Sequence, residues 1–165
     1  MECRTSPLRS RLMGVLYDYF RASDNAAAIR LIDELDGGPV VRGDRDVAVD
    51  AVDLKGIEPE VTLGQLVGFA RGTEWTVDTV QGQLLWSADE QGPWLESIDD
   101  ATRDTLASIS DELMPELSAR WGRIEELSLG DDVAGDEMLP VIEEIRGLAR
   151  RARDAGDHLY CWSCL

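Results

Sequence analysis

Residues 138–165 read MLPVIEEIRGLARRARDAGDHLYCWSCL, and this stretch decides the fold class. Met138, Ile142, Ile145, Ala149 and Ala152 recur at alternating spacings of four and three, the period of one buried helix face. Asp136 and Glu137 stand at the start of that helix, and Arg150, Arg151 and Arg153 in its last turns. Each set has the charge that suits the nearby helix end. Gly156 supplies the stop. From His158 to Leu165 the pattern changes to an aromatic-rich, almost uncharged run that reads as a strand. A long amphipathic helix returning through one glycine into a strand points to an α+β chain.

Upstream lies the acidic part. From Asp89 to Glu144 the chain carries 17 of its 33 acidic residues and 3 arginines, within a formal charge of −17 for all 165 residues. Asp99 or Asp100 caps a helix whose inward positions are Ile98, Thr105, Leu106, Ile109 and Leu113. Pro115 restarts or kinks it, and Leu117, Trp121 and Ile124 continue the apolar stripe. The carboxylates of Asp104, Asp111, Glu112, Glu116, Glu125 and Glu126 are left outside. Residues 128–135 (SLGDDVAG) connect this pair to the last helix.

Further back, Val15 to Phe20 (VLYDYF) is rich in strand formers. Ser23 caps a helix over 24–36, with Ala28, Ile29, Ile32 and Leu35 on one face and Gly37 as its stop. Val47 and Val49 alternate with polar neighbours after a Gly43-Asp44 turn, which suggests either a short half-exposed strand or a partly ordered loop. Pro59 opens a helix whose stripe is Leu63, Leu66, Val67 and Ala70, and Gly72 closes it. Gly64 and Gly68 weaken that helix by about 1 kcal/mol each, so another element is expected to pack closely there. Residues 75–80 and 83–86 read as two short strands paired around Gln81-Gly82. Gly92-Pro93 breaks the chain, and Trp94 and Leu95 tie the next segment to the core. The expected fold is α+β: a small, mainly antiparallel sheet packed against about five helices, a helical C-terminal half and a closing strand beside the first.

Apolar residues make up 44% of the chain, enough for a core despite the charge. The length fits one domain over 13–165, preceded by a basic extension, 1–12, expected to be disordered. Strong acidity disfavours nucleic acid and anionic membrane as partners and favours a basic protein. A GC-rich coding bias or a salt-adapted cytoplasm accounts for the same excess, given 15 arginines but one lysine. Three cysteines without a secretory signal fit a reducing cytoplasm.

Three places together resemble the YfbM-like family, bacterial proteins of unknown function. Met13-Gly14-Val15-Leu16 opens a short apolar strand. Val52-Asp53-Leu54-Lys55 leads to Leu66-Val67-Gly68-Phe69-Ala70-Arg71-Gly72, a helix ending in glycine. Leu148 to Gly156 and then His158-Leu159-Tyr160-Cys161-Trp162 form a closing helix, turn and strand. Gly56-Ile57-Glu58-Pro59 stands where the family usually carries Trp and His after its Asp-Lys pair. The resemblance implies an α+β fold and no established activity.

Chemistry-bearing residues are sparse. Asp53-Leu54-Lys55 has the D-x-K form of metal-dependent nuclease sites, with Asp44, Asp46 or Asp50 as an upstream carboxylate. His158 is the only histidine, in principle a general base. Cys161 and Cys164 form a C-x-x-C that, with His158 and Cys3, supplies four zinc-type ligands, although in a strand the two thiols point to opposite faces. Phosphate-binding glycine loops and the G-x-S-x-G motif are absent from the sequence, and no cofactor is implied. Trp86 and Trp94, flanking Asp89 and Glu90, have the character of aromatic anchors beside an acidic rim. The leading expectation is therefore a cytoplasmic interaction protein, immunity- or inhibitor-like. It would bind a basic partner through Trp86, Asp89, Glu90, Trp94, Asp104, Asp111, Glu112 and Glu116. A small metal-dependent enzyme or zinc-binding protein and a Trp-lined small-ligand module are the alternatives.

Overall fold

The computed structural model describes residues 16–41, 49–127 and 137–165. The extension 1–12, the Gly43-Asp44 turn and the 128–135 connection lie outside them, as do Cys3, Met13, Gly14, Val15, Asp44, Asp46, Val47 and Asp136. Among the described residues the strands are β1 (Leu16–Ala22), β2 (Ala51–Asp53), β3 (Gly82–Ser87), β4 (Trp94–Ile98) and β5 (His158–Cys164). They form one sheet in the order β2-β1-β5-β4-β3, with every neighbouring pair antiparallel. The helices are α1 (Asn25–Glu34), α2 (Gly64–Arg71), α3 (Asp100–Ala107), α4 (Met114–Trp121) and α5 (Leu139–Ala155). The α+β architecture read from the sequence is the one observed, with the first and last strands side by side.

Alternation along the strands divides the core in two. Leu16 and Phe20 of β1 and Tyr160, Trp162 and Cys164 of β5 face α1, where they pack with Ala28, Ile32, Leu35 and Val40. Tyr19, Leu159 and Cys161 face the other way, into the cluster built by α2 to α5. Two buried indoles tie loops to these layers. Trp162 Nε1 donates to Gly37 O at 2.9 Å, and Trp121 Nε1 donates to Thr62 O at 2.8 Å. Gly38 must be glycine: at φ +96° it lies so close to Trp162 that a Cβ would stand 2.5 Å from the indole.

Capping follows the sequence with small displacements. Asp24, rather than Ser23, caps α1 through Ala27 N. Asp99 caps α3 through Thr102 N, and Gly72 and Gly156 take left-handed conformations after α2 and α5. Pro59 starts a π-helical turn (Pro59–Leu63) that runs into α2, with the Glu58 side chain accepting from Glu60 N and Val61 N. Gly64 and Gly68 are indeed contact points, because Trp75 and the Thr73–Trp75 backbone pack on them.

The hairpin differs from expectation. Residues 75–80 form turns: Thr76 N and Asp78 N are bound by the hydroxyls of Thr79 and Thr76, and Thr79 N donates to Thr76 O. Local side-chain bonds of this kind compete with a ladder. The strand that pairs with β3 is β4, so Trp94 to Ile98 is extended where a helix start was expected at Ile98. Of the short strand expected around Val47 and Val49, Val47 lies outside the described residues; the strand described next to it is Ala51–Asp53.

Candidate functional site

Much of the acidic helical surface is occupied by the protein's own arginines. Arg103 Nε lies 2.9 Å from Asp104 and its Nη1 3.3 Å from Asp100. Arg146, buried on α5, contacts Asp111 at 2.7 Å and Glu143 at 2.5 Å. It also donates to Ile109 O, while Arg150 donates to Ala107 O and Ile109 O. Together they satisfy carbonyls at the C-terminal end of α3, where cations are favoured. Arg120 stands 3.9 Å from Glu116 and over the ring of Phe69. Of Asp104, Asp111, Glu112 and Glu116, only Glu112 has no arginine partner among the described residues.

The other expected site residues are dispersed. Asp89 and Glu90 are exposed in the β3–β4 turn, where Asp89 accepts from Gln91 N. Trp86 opposes Leu95 and packs on the α1 side of the sheet, whereas Trp94 opposes Ser163 and belongs to the other side. His158 Nδ1 is 2.6 Å from Asp100 at the start of α3. Three positions apart on β5, Cys161 and Cys164 lie in different core clusters, so their sulfur atoms do not converge. Burial above all, then the nearby Glu96 carboxylate, pushes the Cys161 thiol well up, which suits packing rather than reactivity. Asp53 is registered with the buried Asp18 across β1–β2, and Lys55 follows the strand in the next turn. Asp50, the upstream carboxylate within the described residues, is gripped by Arg151 at 2.7 and 2.9 Å and by Arg21 at 2.7 Å. Among the described residues no group of three or more His, Cys, Asp or Glu side chains is placed to hold a metal ion.

A different arrangement forms where the helices leave one corner of the sheet uncovered. Two rows of cross-strand neighbours run over the helix-bearing face: Tyr17–Ser163–Trp94–Ser87 and Tyr19–Cys161–Glu96–Leu84. Tyr19 and Cys161 are buried, but Tyr17, Ser163, Trp94 and Glu96 are half-buried and Leu84 is exposed. Tyr17 and Trp94 flank the small Ser163 at two strand spacings, roughly 10 Å between backbones. Trp94 rests on Gly92, where a Cβ would come within 2.7 Å of its ring.

The acidic wall of this shelf comes from the turn before α2. Tyr19 donates its hydroxyl to Ile57 O at 2.6 Å, and Leu54 N donates to Tyr17 O, so residues 54–58 are laid against the sheet. Glu58 and Glu60 are thereby brought near Glu96. Burial first, then the charges of Glu58 and Glu60, raise the Glu96 carboxyl above the ordinary range. Burial and the Glu58 charge push the Tyr17 hydroxyl up to about 12. No ion pair joins Glu96 to a basic side chain among the described residues. Of these groups only Trp94 was singled out from the sequence. Tyr17, Glu58, Glu60, Glu96 and Ser163 were missed, although period-two alternation would have put Trp94 and Glu96 on one face had 94–98 been read as a strand.

Comparison with protein-family models, curated proteins and solved structures finds no match for this chain. Among the described residues no helix is long and apolar enough to cross a membrane.

Proposed function

We propose that this is a cytoplasmic interaction module that binds a basic protein, in the manner of an immunity or inhibitor protein, and seats a lysine or arginine of that partner on the Tyr17–Trp94–Glu96 shelf. One observation supports the reading: Glu96, a half-buried carboxylate with no basic partner among the described residues, lies on the same face as Trp94 and near two further carboxylates, Glu58 and Glu60. A guanidinium or ammonium entering there relieves the repulsion among Glu58, Glu60 and Glu96 and stacks on the rings. Carboxylates on the helices remain as a long-range field that speeds encounter, while their internal arginine pairs reduce their value as contacts. The pattern-level resemblance to the YfbM-like family belongs to the same proposal, supported by the order of strand, central helix, long helix and closing strand.

The test is retention of basic proteins at low ionic strength on immobilised wild-type chain and on a Glu58→Gln/Glu96→Gln variant. The expected result is a salt-sensitive species held by the wild type and lost from the variant. Equal retention on both would contradict the seat.

A small-ligand reading has one observation in its favour. A groove of about 440 Å³ is lined by Gln65, Phe69, Glu74, Trp75 and Arg120 beside α2. A change in tryptophan emission on adding a metabolite, absent in Trp75→Phe, would support it.

A further inference from the structure

β3 is an edge strand, and among the described residues no strand pairs with its outer side. Its sequence, GQLLWS, has no charge and no proline, the usual devices that blunt an edge. A register shift between Leu84 and Trp86 is the one irregularity. The ladder shows which groups point outward. Asp99 N donates to Gln81 O, making that pair a hydrogen-bonded one. Alternation then directs the backbone N–H and C=O of Gly82 and Leu84 away from β4. Leu84 is 56% exposed and opposes Glu96 on the shelf side.

The segment that carries this edge is acidic, although Arg71, Arg103 and His158 reach Thr79 and Asp100 within it. Residues 73–102, which contain both strands of the hairpin, hold seven carboxylates and no lysine, arginine or histidine. A second copy of the chain, itself carrying −17, is disfavoured at such an edge. An extended basic segment is favoured. We infer that β3 is the docking edge for an extended segment of a basic protein, which adds to the sheet as a sixth strand. This rests on the partner reading above and says how the partner is held. Backbone bonds to Gly82 and Leu84 supply affinity, and alternate side chains supply specificity. The residue opposite Leu84 lays its apolar stem over that leucine and carries its charged head toward Glu96. The sixth strand runs antiparallel to β3, as every neighbouring pair in the sheet does, so the partner residues whose side chains face the shelf are those whose N–H groups point at β3.

The probe is a capped octapeptide alternating Lys and Thr, titrated at low salt with fluorescence detection. Two further versions carry backbone N-methyl groups, one on the lysines and one on the threonines. The expected result is that methylation at lysine weakens binding by roughly tenfold, the loss of one to two hydrogen bonds. Methylation at threonine has little effect. Leu84→Pro should weaken the parent peptide similarly, because its N–H faces away from β4 and an edge position accepts proline. Glu58→Gln/Glu96→Gln should weaken all three peptides. Equal binding of the parent and lysine-methylated peptides, with the double variant still weakened, would overturn the strand addition and leave the shelf standing. Failure of the wild type to bind the parent peptide would overturn both. A dimer in sedimentation that Leu84→Pro abolishes would assign the edge to a second copy and overturn the inference.

Discussion

A carboxyl group held half out of water beside two others is costly to ionise, and Glu96 is in that position. Its folded-state affinity for a proton is raised, so its ionisation counts against the native state. That burden is absent below the ordinary glutamate range and grows as pH rises through the elevated value. Glu96→Gln should therefore raise the thermal midpoint at neutral pH and leave it unchanged near pH 4. A midpoint that shifts equally at both values would place the effect elsewhere. Asp50 shows the opposite sign. The Arg151 hydrogen bonds, followed by those of Arg21, hold it below the ordinary range, against the opposing effect of burial. Its contribution is present above the unfolded-state value and is lost as pH falls through the folded one. Asp50→Asn should cost roughly 1 kcal/mol at pH 7, the upper end for a partly exposed network, and the difference from wild type in urea titrations should close in acid. Neither role is visible in the sequence, where Asp50 and Glu96 are two of 33 acidic residues. Both depend on partners far along the chain.

Elements were more legible than residues. The period of four and three in Met138 to Ala152, the stop at Gly156 and the aromatic run after it gave α5 and β5 nearly as observed. Proline at the start and glycine at the end did the same for the segment from Pro59 to Gly72. The hairpin was misread because Thr76 and Thr79 bond their own neighbours, a choice that a tally of strand formers does not register. Trp94 to Ile98 was misread because a capping aspartate follows directly, so the strand looked like a helix approach. That misassignment hid the shelf, since Trp94 and Glu96 share a face only in an extended chain. The α2 glycines offer a test at this scale. A Cβ at Gly64 would stand 2.6 Å from Trp75 Nε1, which donates to Glu60 O. Gly64→Ala gains about 1 kcal/mol of helix propensity but must displace that indole, at an overpacking cost of roughly 1–3 kcal/mol. The expected outcome is a less stable protein with Trp75 more open to acrylamide quenching. A stabilised variant with unchanged quenching would refute the contact.

Across the whole molecule, charge is arranged in two tiers. Asp100, Asp104, Asp111, Glu116 and Glu143 face solvent but are paired with Arg103, Arg120 and Arg146. At the open corner of the sheet Glu58 caps the turn through Glu60 N and Val61 N, and Glu96 has no basic partner among the described residues. Sequence composition showed the excess of acid and its concentration between Asp89 and Glu144. It did not show which part is left uncompensated, because compensation comes from arginines brought in by the fold. Under the proposed function, long-range attraction and specific seating fall to different surfaces of one chain. Salt should weaken association with any basic partner through the first, and substitutions at the corner should weaken it through the second.

The most direct measurement is a residue-by-residue map of amide and indole chemical shifts as the alternating Lys-Thr peptide is added at low salt. The largest changes should fall on Tyr17, Leu84, the Trp94 indole and Glu96, and should vanish in Glu58→Gln/Glu96→Gln. Changes centred instead on Asp104, Asp111, Glu112 and Glu116, unaffected by that double substitution, would contradict the proposed seat.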